Sequence, residues 1–74
     1  MNDTIKFIKG FKGQVKVVSM ERCLTYLTEG KTYTVECVNG KTVRFSSEQG
    51  GTFEQVSMLN VFQRQGRIVF EVVA

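Results

Sequence analysis

Apolar residues recur in this chain mostly at every second position, the spacing of strands with one buried face. Residues 14–20 alternate through Val15 and Val17 and read as the first core strand. Residues 21–30 read as a loop whose Leu24, Tyr26 and Leu27 fold back onto the body. Gly30 then releases the chain into a strand over 31–38, where Tyr33, Val35 and Cys37 alternate with Thr32, Thr34 and Glu36. Asn39-Gly40 follows, a strong short-range hairpin signal. A two-residue loop would set Glu36 against Val43 and mix charge with core. A three-residue loop, Val38-Asn39-Gly40, pairs Val35 with Val43 and Tyr33 with Phe45, leaves Thr34 beside Arg44, and places Gly40 at the left-handed position of a bulged turn.

Residues 41–47 form the third strand in this reading, and Glu48-Gln49-Gly50-Gly51 the next turn. Residues 52–56 make a short fourth strand. Ser57-Met58-Leu59 makes one tight helical turn capped by Ser57. Asn60-Val61-Phe62-Gln63 resumes the strand, and a loop at Arg64-Gln65-Gly66 sets Phe62 against Ile68 and Val61 against Val69. The last strand, 67–73, is apolar on both faces, with Ile68, Phe70 and Val72 on one and Val69 and Val73 on the other. The expected fold is all-β: five to six short antiparallel strands curled into a small barrel, which limits exposed edges.

The first thirteen residues read differently from the rest. A helix there would gather Phe7, Ile8, Phe11 and Val15 on one face, but Gly10 and Gly13 would each cost about 1 kcal/mol in it. The segment 1–13 therefore reads as an extended basic arm or a short extra strand, ahead of a single domain over 14–74.

Charge sharpens this division. The net charge is +3, and residues 1–16, with Lys6, Lys9, Lys12 and Lys16 against Asp3, hold all of the excess. The 74 residues include no histidine and no tryptophan, and the two cysteines, Cys23 and Cys37, are not in a metal-binding spacing. Without histidine, Ser-His-Asp and Cys-His catalysis are excluded. Glu29, Glu48 and Glu54 are unlinked carboxylates on or near turns. These counts lead us to expect no enzyme, no cofactor and no metal. The N-terminus lacks the basic-then-apolar layout of a secretory leader, and no apolar run is long enough to span a membrane. A cytoplasmic protein with two reduced thiols is expected.

The segment Leu27-Thr28-Glu29-Gly30-Lys31-Thr32-Tyr33-Thr34-Val35 resembles the L-T-x-G-K-x-Y-x-V segment of small SH3-like barrel proteins common in bacteriophages and prophages. The resemblance covers roughly residues 14–63. It implies a strand and loop before the motif, then a hairpin, a Gly-rich turn, an aromatic-led strand, a tight helical turn and a closing strand. Val56-Ser57-Met58-Leu59 departs from the family's usual aromatic-plus-basic strand end, and the arm and the 67–73 strand are additions. The resemblance implies an accessory protein; together with the missing catalytic residue types and the doubly apolar last strand, it leads us to expect a small module, acting in a bacterial host cell, that binds and modulates a larger host or viral protein.

Two binding surfaces follow from the residues. A last strand apolar on both faces needs a second cover. The arm's Phe7 and Phe11, a second copy of the chain, or a target protein would each supply it. The expected protein-binding residues are Val69, Phe70 and Val72, with Leu24 and Tyr26 of the loop. The alternative is a nucleic-acid surface on the arm, with Lys6, Lys9, Lys12 and Lys16 on phosphates and Phe7 or Phe11 stacked on bases.

Overall fold

The computed structural model describes residues 4–73. The start of the arm, residues 1–3, and Ala74 lie outside that range. Among the described residues the chain forms β1 (Lys12–Met20), β2 (Thr32–Cys37), β3 (Thr42–Ser47), β4 (Gly50–Gln55), α1 (Val56–Arg64) and β5 (Ile68–Val72). The strands make one antiparallel sheet in the order β4-β3-β2-β1-β5. β1 holds the sheet together by pairing with β2 through Lys12–Lys16 and with β5 through Val15–Met20. Its register against β5 slips between Val17 and Ser19. Such a bulge bends a strand and adds local twist. α1 rests against both edge strands, β4 and β5.

The alternation along β1, β2 and β3 sets the core. Val15, Val17, Tyr33, Val35, Cys37, Val43 and Phe45 all point inward and are buried. Ile68 and Phe70 of β5 join them, because Phe70 lies opposite Val17 and so shares its face. Gly30, with φ +86°, takes the left-handed conformation that lets the chain turn into β2.

The β2–β3 hairpin keeps the expected parity but not the expected offset. Val35 lies opposite Phe45 and Cys37 opposite Val43, so each inward residue meets a partner two positions from the expected one. Glu36, not Thr34, faces Arg44. The connection is wider because the Asn39 side-chain oxygen accepts the backbone N–H groups of both Lys41 and Thr42, each at 2.9 Å. Gly40, at φ +76°, is left-handed as expected. The following turn is shorter than read: Gly50 and Gly51 already belong to β4, paired with Ser47 and Ser46.

The largest departure lies at 56–64. The expected single turn capped by Ser57, followed by a strand at 60–63, is instead the nine-residue helix α1. Val56, Leu59 and Gln63 are buried along one side at helical spacing. Gln55, still extended, is the N-cap residue and makes no side-chain capping bond, and the Val56 N–H donates to the Lys41 carbonyl at 2.9 Å. Phe62 and Val61 are therefore not paired with Ile68 and Val69, because β5 pairs with β1.

The arm is neither helix nor strand over 4–11. Lys12 and Gly13, read as part of it, begin β1. Phe7 is only 2% exposed and meets Phe11, Phe45 and Phe70 edge-on at centroid separations of 5.5, 5.9 and 5.6 Å. The Gly10 N–H donates to the Cys37 carbonyl, and the Cys37 N–H to the Phe11 carbonyl, so the arm continues the hydrogen bonding of β2 beyond β1. Among the described residues, no helix is long and apolar enough to cross a membrane.

Candidate docking surface

The residues expected to bind protein are scattered by the fold. Phe70 is 3% exposed and stacks on Phe45 at 5.7 Å, so it is a core residue and not an interface residue. Val69 is half-buried on the opposite face, beside Ser19. Val72 is exposed at the end of β5. Leu24 is half-buried against the core, and Leu27 is buried. Tyr26, expected to fold inward with them, is 88% exposed. The Leu27 N–H donates to the Thr25 hydroxyl at 3.0 Å and the Thr28 N–H to the Tyr33 hydroxyl at 2.8 Å, a bend that turns Leu27 in and Tyr26 out.

The same loop approaches an inward-facing acid on β4. Burial pushes the Glu54 carboxyl above the ordinary glutamate range, while the Tyr26 amide and the Thr52 hydroxyl pull it partly back. A carboxyl whose pKa is raised on folding binds its proton more tightly in the folded state, so the protein loses stability as pH rises through that pKa. Glu54→Gln is therefore expected to raise the urea midpoint at pH 7. The gain should vanish at about pH 3, where both forms of the wild-type carboxyl are protonated. Equal midpoints at pH 7 would show that the Glu54 charge carries no burial cost.

The basic residues also separate. Lys12 and Lys16 lie on the outer face of β1, where Lys12 sits 3.3 Å from Glu36 and Lys16 lies opposite Glu71. Lys6 and Lys9 lie on the arm and are exposed. Phe7 is buried and Phe11 is half-buried against the core, so the stacking role expected for Phe7 is corrected: its ring is occupied by other rings. The four lysines do not form one stripe.

Lys6 and Lys9 instead meet Arg64, which α1 brings to them across a groove of about 740 Å³ between arm and helix. Its apolar surface comes from Phe7, Ile8, Val56 and Val61, and Ile8 is 65% exposed although it is a large aliphatic side chain. Met58, one turn before Val61, is also exposed on the helix. The groove walls are fixed to each other by Gln63. Its side-chain oxygen accepts the Ile5 N–H at 2.7 Å, and its amide donates to the Ile5 carbonyl at 3.0 Å. Every charged residue lining this groove among those described is basic. A second open hollow, of about 850 Å³, lies over β2 and β3 and is lined mainly by hydroxyls and amides such as Thr32, Thr34, Ser46 and Gln49, with Lys31 and Glu48 offsetting each other.

Ile8, Val61 and Arg64 went unrecognised in the sequence as members of one surface. The available signal was the i, i+3 relation of Val61 and Arg64, which has meaning only once the segment is read as a helix. Comparison with protein-family models, with curated proteins and with solved structures finds no match to this chain.

Proposed function

We propose that this chain is a non-enzymatic binding module, an SH3-like barrel of the phage accessory type, that docks and modulates a larger host or viral protein through the groove between its arm and α1. The element order supports the fold part of this reading. A strand, a loop, the Leu27–Val35 segment, a hairpin, a tight turn and a strand follow one another in the order of the resemblance, whereas the helix over Val56–Arg64 replaces its tight turn and closing strand, and β5 is the addition beyond it. The observation that carries the function is the groove itself. A protein of this size buries most large aliphatic side chains it can. Ile8 and Val61 stay exposed on facing elements, lining a hollow already built and clamped. Preformed apolar concavities with a few polar groups at the rim are the usual form of binding sites. The free thiols of Cys23 and Cys37 suit a reducing compartment such as the bacterial cytoplasm.

The test is affinity capture from a nuclease-treated bacterial lysate, with wild type beside the double variant Ile8→Glu/Val61→Glu. Wild type is expected to retain one protein that the variant loses, while the two keep the same circular dichroism. Capture that disappears with nuclease would move the function to nucleic acid. Capture that survives in the variant would move the surface elsewhere, to Tyr26 or Val72.

A further inference from the structure

Resting on that reading, we infer that the segment held in the groove is acidic and amphipathic, with carboxylates flanking apolar side chains. Three cations from two separate elements, Lys6 and Lys9 of the arm and Arg64 of α1, surround one apolar floor. Among the described residues none of the three makes an ion pair. The neighbouring hollow at the start of α1 adds Lys41 and, among its described lining, again no carboxylate. Several cations elsewhere have an acid beside them. Lys12 has Glu36, Arg67 has Glu21, and Lys16 and Arg44 stand opposite Glu71 and Glu36. Among the described residues, the groove thus gathers three cations from two elements with no carboxylate in its lining. Complementary charge steers association and fixes register, whereas affinity comes from the desolvated apolar centre.

The floor decides the class of partner. Nucleic acid bound by such a small surface would need phosphate contacts and an open aromatic face for the bases. Here the aromatic ring beneath the groove, Phe7, is buried edge-on among other rings, and the exposed floor is aliphatic. Ile8 and Val61 suit leucine-like side chains, and the rim suits the carboxylates beside them.

The probe is a labelled 14-residue peptide of glutamate and leucine, with leucine at helical i, i+3, i+4, i+7 spacing, read by fluorescence anisotropy. Its counterpart carries lysine in place of every glutamate. The acidic peptide is expected to bind, and to weaken about tenfold between 20 and 200 mM salt as the rim charges are screened. The lysine peptide is expected not to bind. The neutralised variant Lys6→Gln/Lys9→Gln/Arg64→Gln should weaken the acidic peptide by a similar factor and flatten the salt dependence. Lys12→Gln/Lys16→Gln, on the other face, should change neither. Failure of both peptides to bind, equal binding of the two, or an unchanged neutralised variant would overturn the inference. Displacement of the peptide by an equal concentration of a single-stranded oligonucleotide would also overturn it, in favour of a nucleic-acid occupant. The broader docking function stands apart from these outcomes, because lysate capture lost in the uncharged double variant Ile8→Ser/Val61→Ser reports on the apolar floor alone.

Discussion

Replacing Phe7 with alanine is expected to leave little folded protein at room temperature. Truncating a buried phenylalanine costs about 3–5 kcal/mol, from lost transfer energy and the cavity left behind. A natural domain has about 5–15 kcal/mol in total, and a chain of this size lies toward the lower end. Phe7 touches three other rings, from the arm, β3 and β5, so its removal opens the core where those elements meet. Urea titration followed by circular dichroism should show the midpoint collapse or no native baseline. Lys6→Ala, one position away and exposed, should stay within about 0.5 kcal/mol of wild type. Deleting residues 1–10 should cost at least as much as Phe7→Ala, because it removes Phe7 and the Gly10–Cys37 hydrogen bond as well. A Phe7→Ala protein with a near wild-type midpoint would mean that the arm is an appendage and that the core closes without it.

Gln63→Leu is expected to cost about 1–3 kcal/mol, the range for leaving buried hydrogen-bonding groups unpaired. Leucine fills much the same space but leaves the Ile5 N–H and carbonyl without their partners. The damage should be local as well as global: the Ile5 amide should exchange with solvent faster than β-sheet amides, because the arm has lost its link to α1. Peptide binding in the groove should weaken in parallel, since one wall is no longer held. Gln63→Glu gives a sharper test. An ionised carboxylate still accepts the Ile5 N–H but confronts the Ile5 carbonyl with no donor. A protonated carboxyl restores the donor. The folded state therefore raises the pKa of the introduced acid, and its stability should recover as pH falls through that raised value. A flat pH profile for Gln63→Glu relative to wild type would show that the contact to the Ile5 carbonyl contributes nothing.

The clamp joins residues 58 positions apart, which explains why it was invisible in the sequence. Gln63 looked like one more polar residue on a strand, and Ile5 like one more apolar residue on an arm without periodicity. Phe7 was ambiguous for the same reason: a lone aromatic between lysines fits a stacking platform and a core residue equally well. The helix at 56–64 is hidden in the sequence because Val61-Phe62 followed by a basic loop gives two-fold parity with Ile68 and Val69, while Val56, Leu59 and Phe62 also follow one another at intervals of three. Short apolar runs do not distinguish these two periods.

The alternation of Val15 and Val17, of Tyr33, Val35 and Cys37, and of Val43 and Phe45 determined by itself which face of each of three strands is buried, and all seven residues are in the core. The turn residues Gly30 and Gly40 likewise marked where the chain must turn left-handed. A period of two decides the face and not the offset, so the β2–β3 register could shift by two residues without disturbing the core. That shift accompanies a local turn around the Asn39 side chain and, from tertiary structure, the arm bonding to Cys37. Only tertiary structure divided the lysines between two surfaces and joined Lys6 and Lys9 to Arg64. Local propensity acts over a few residues. The arm and α1 meet because each buries apolar surface against the same core, and the groove between them exists only once that core has formed.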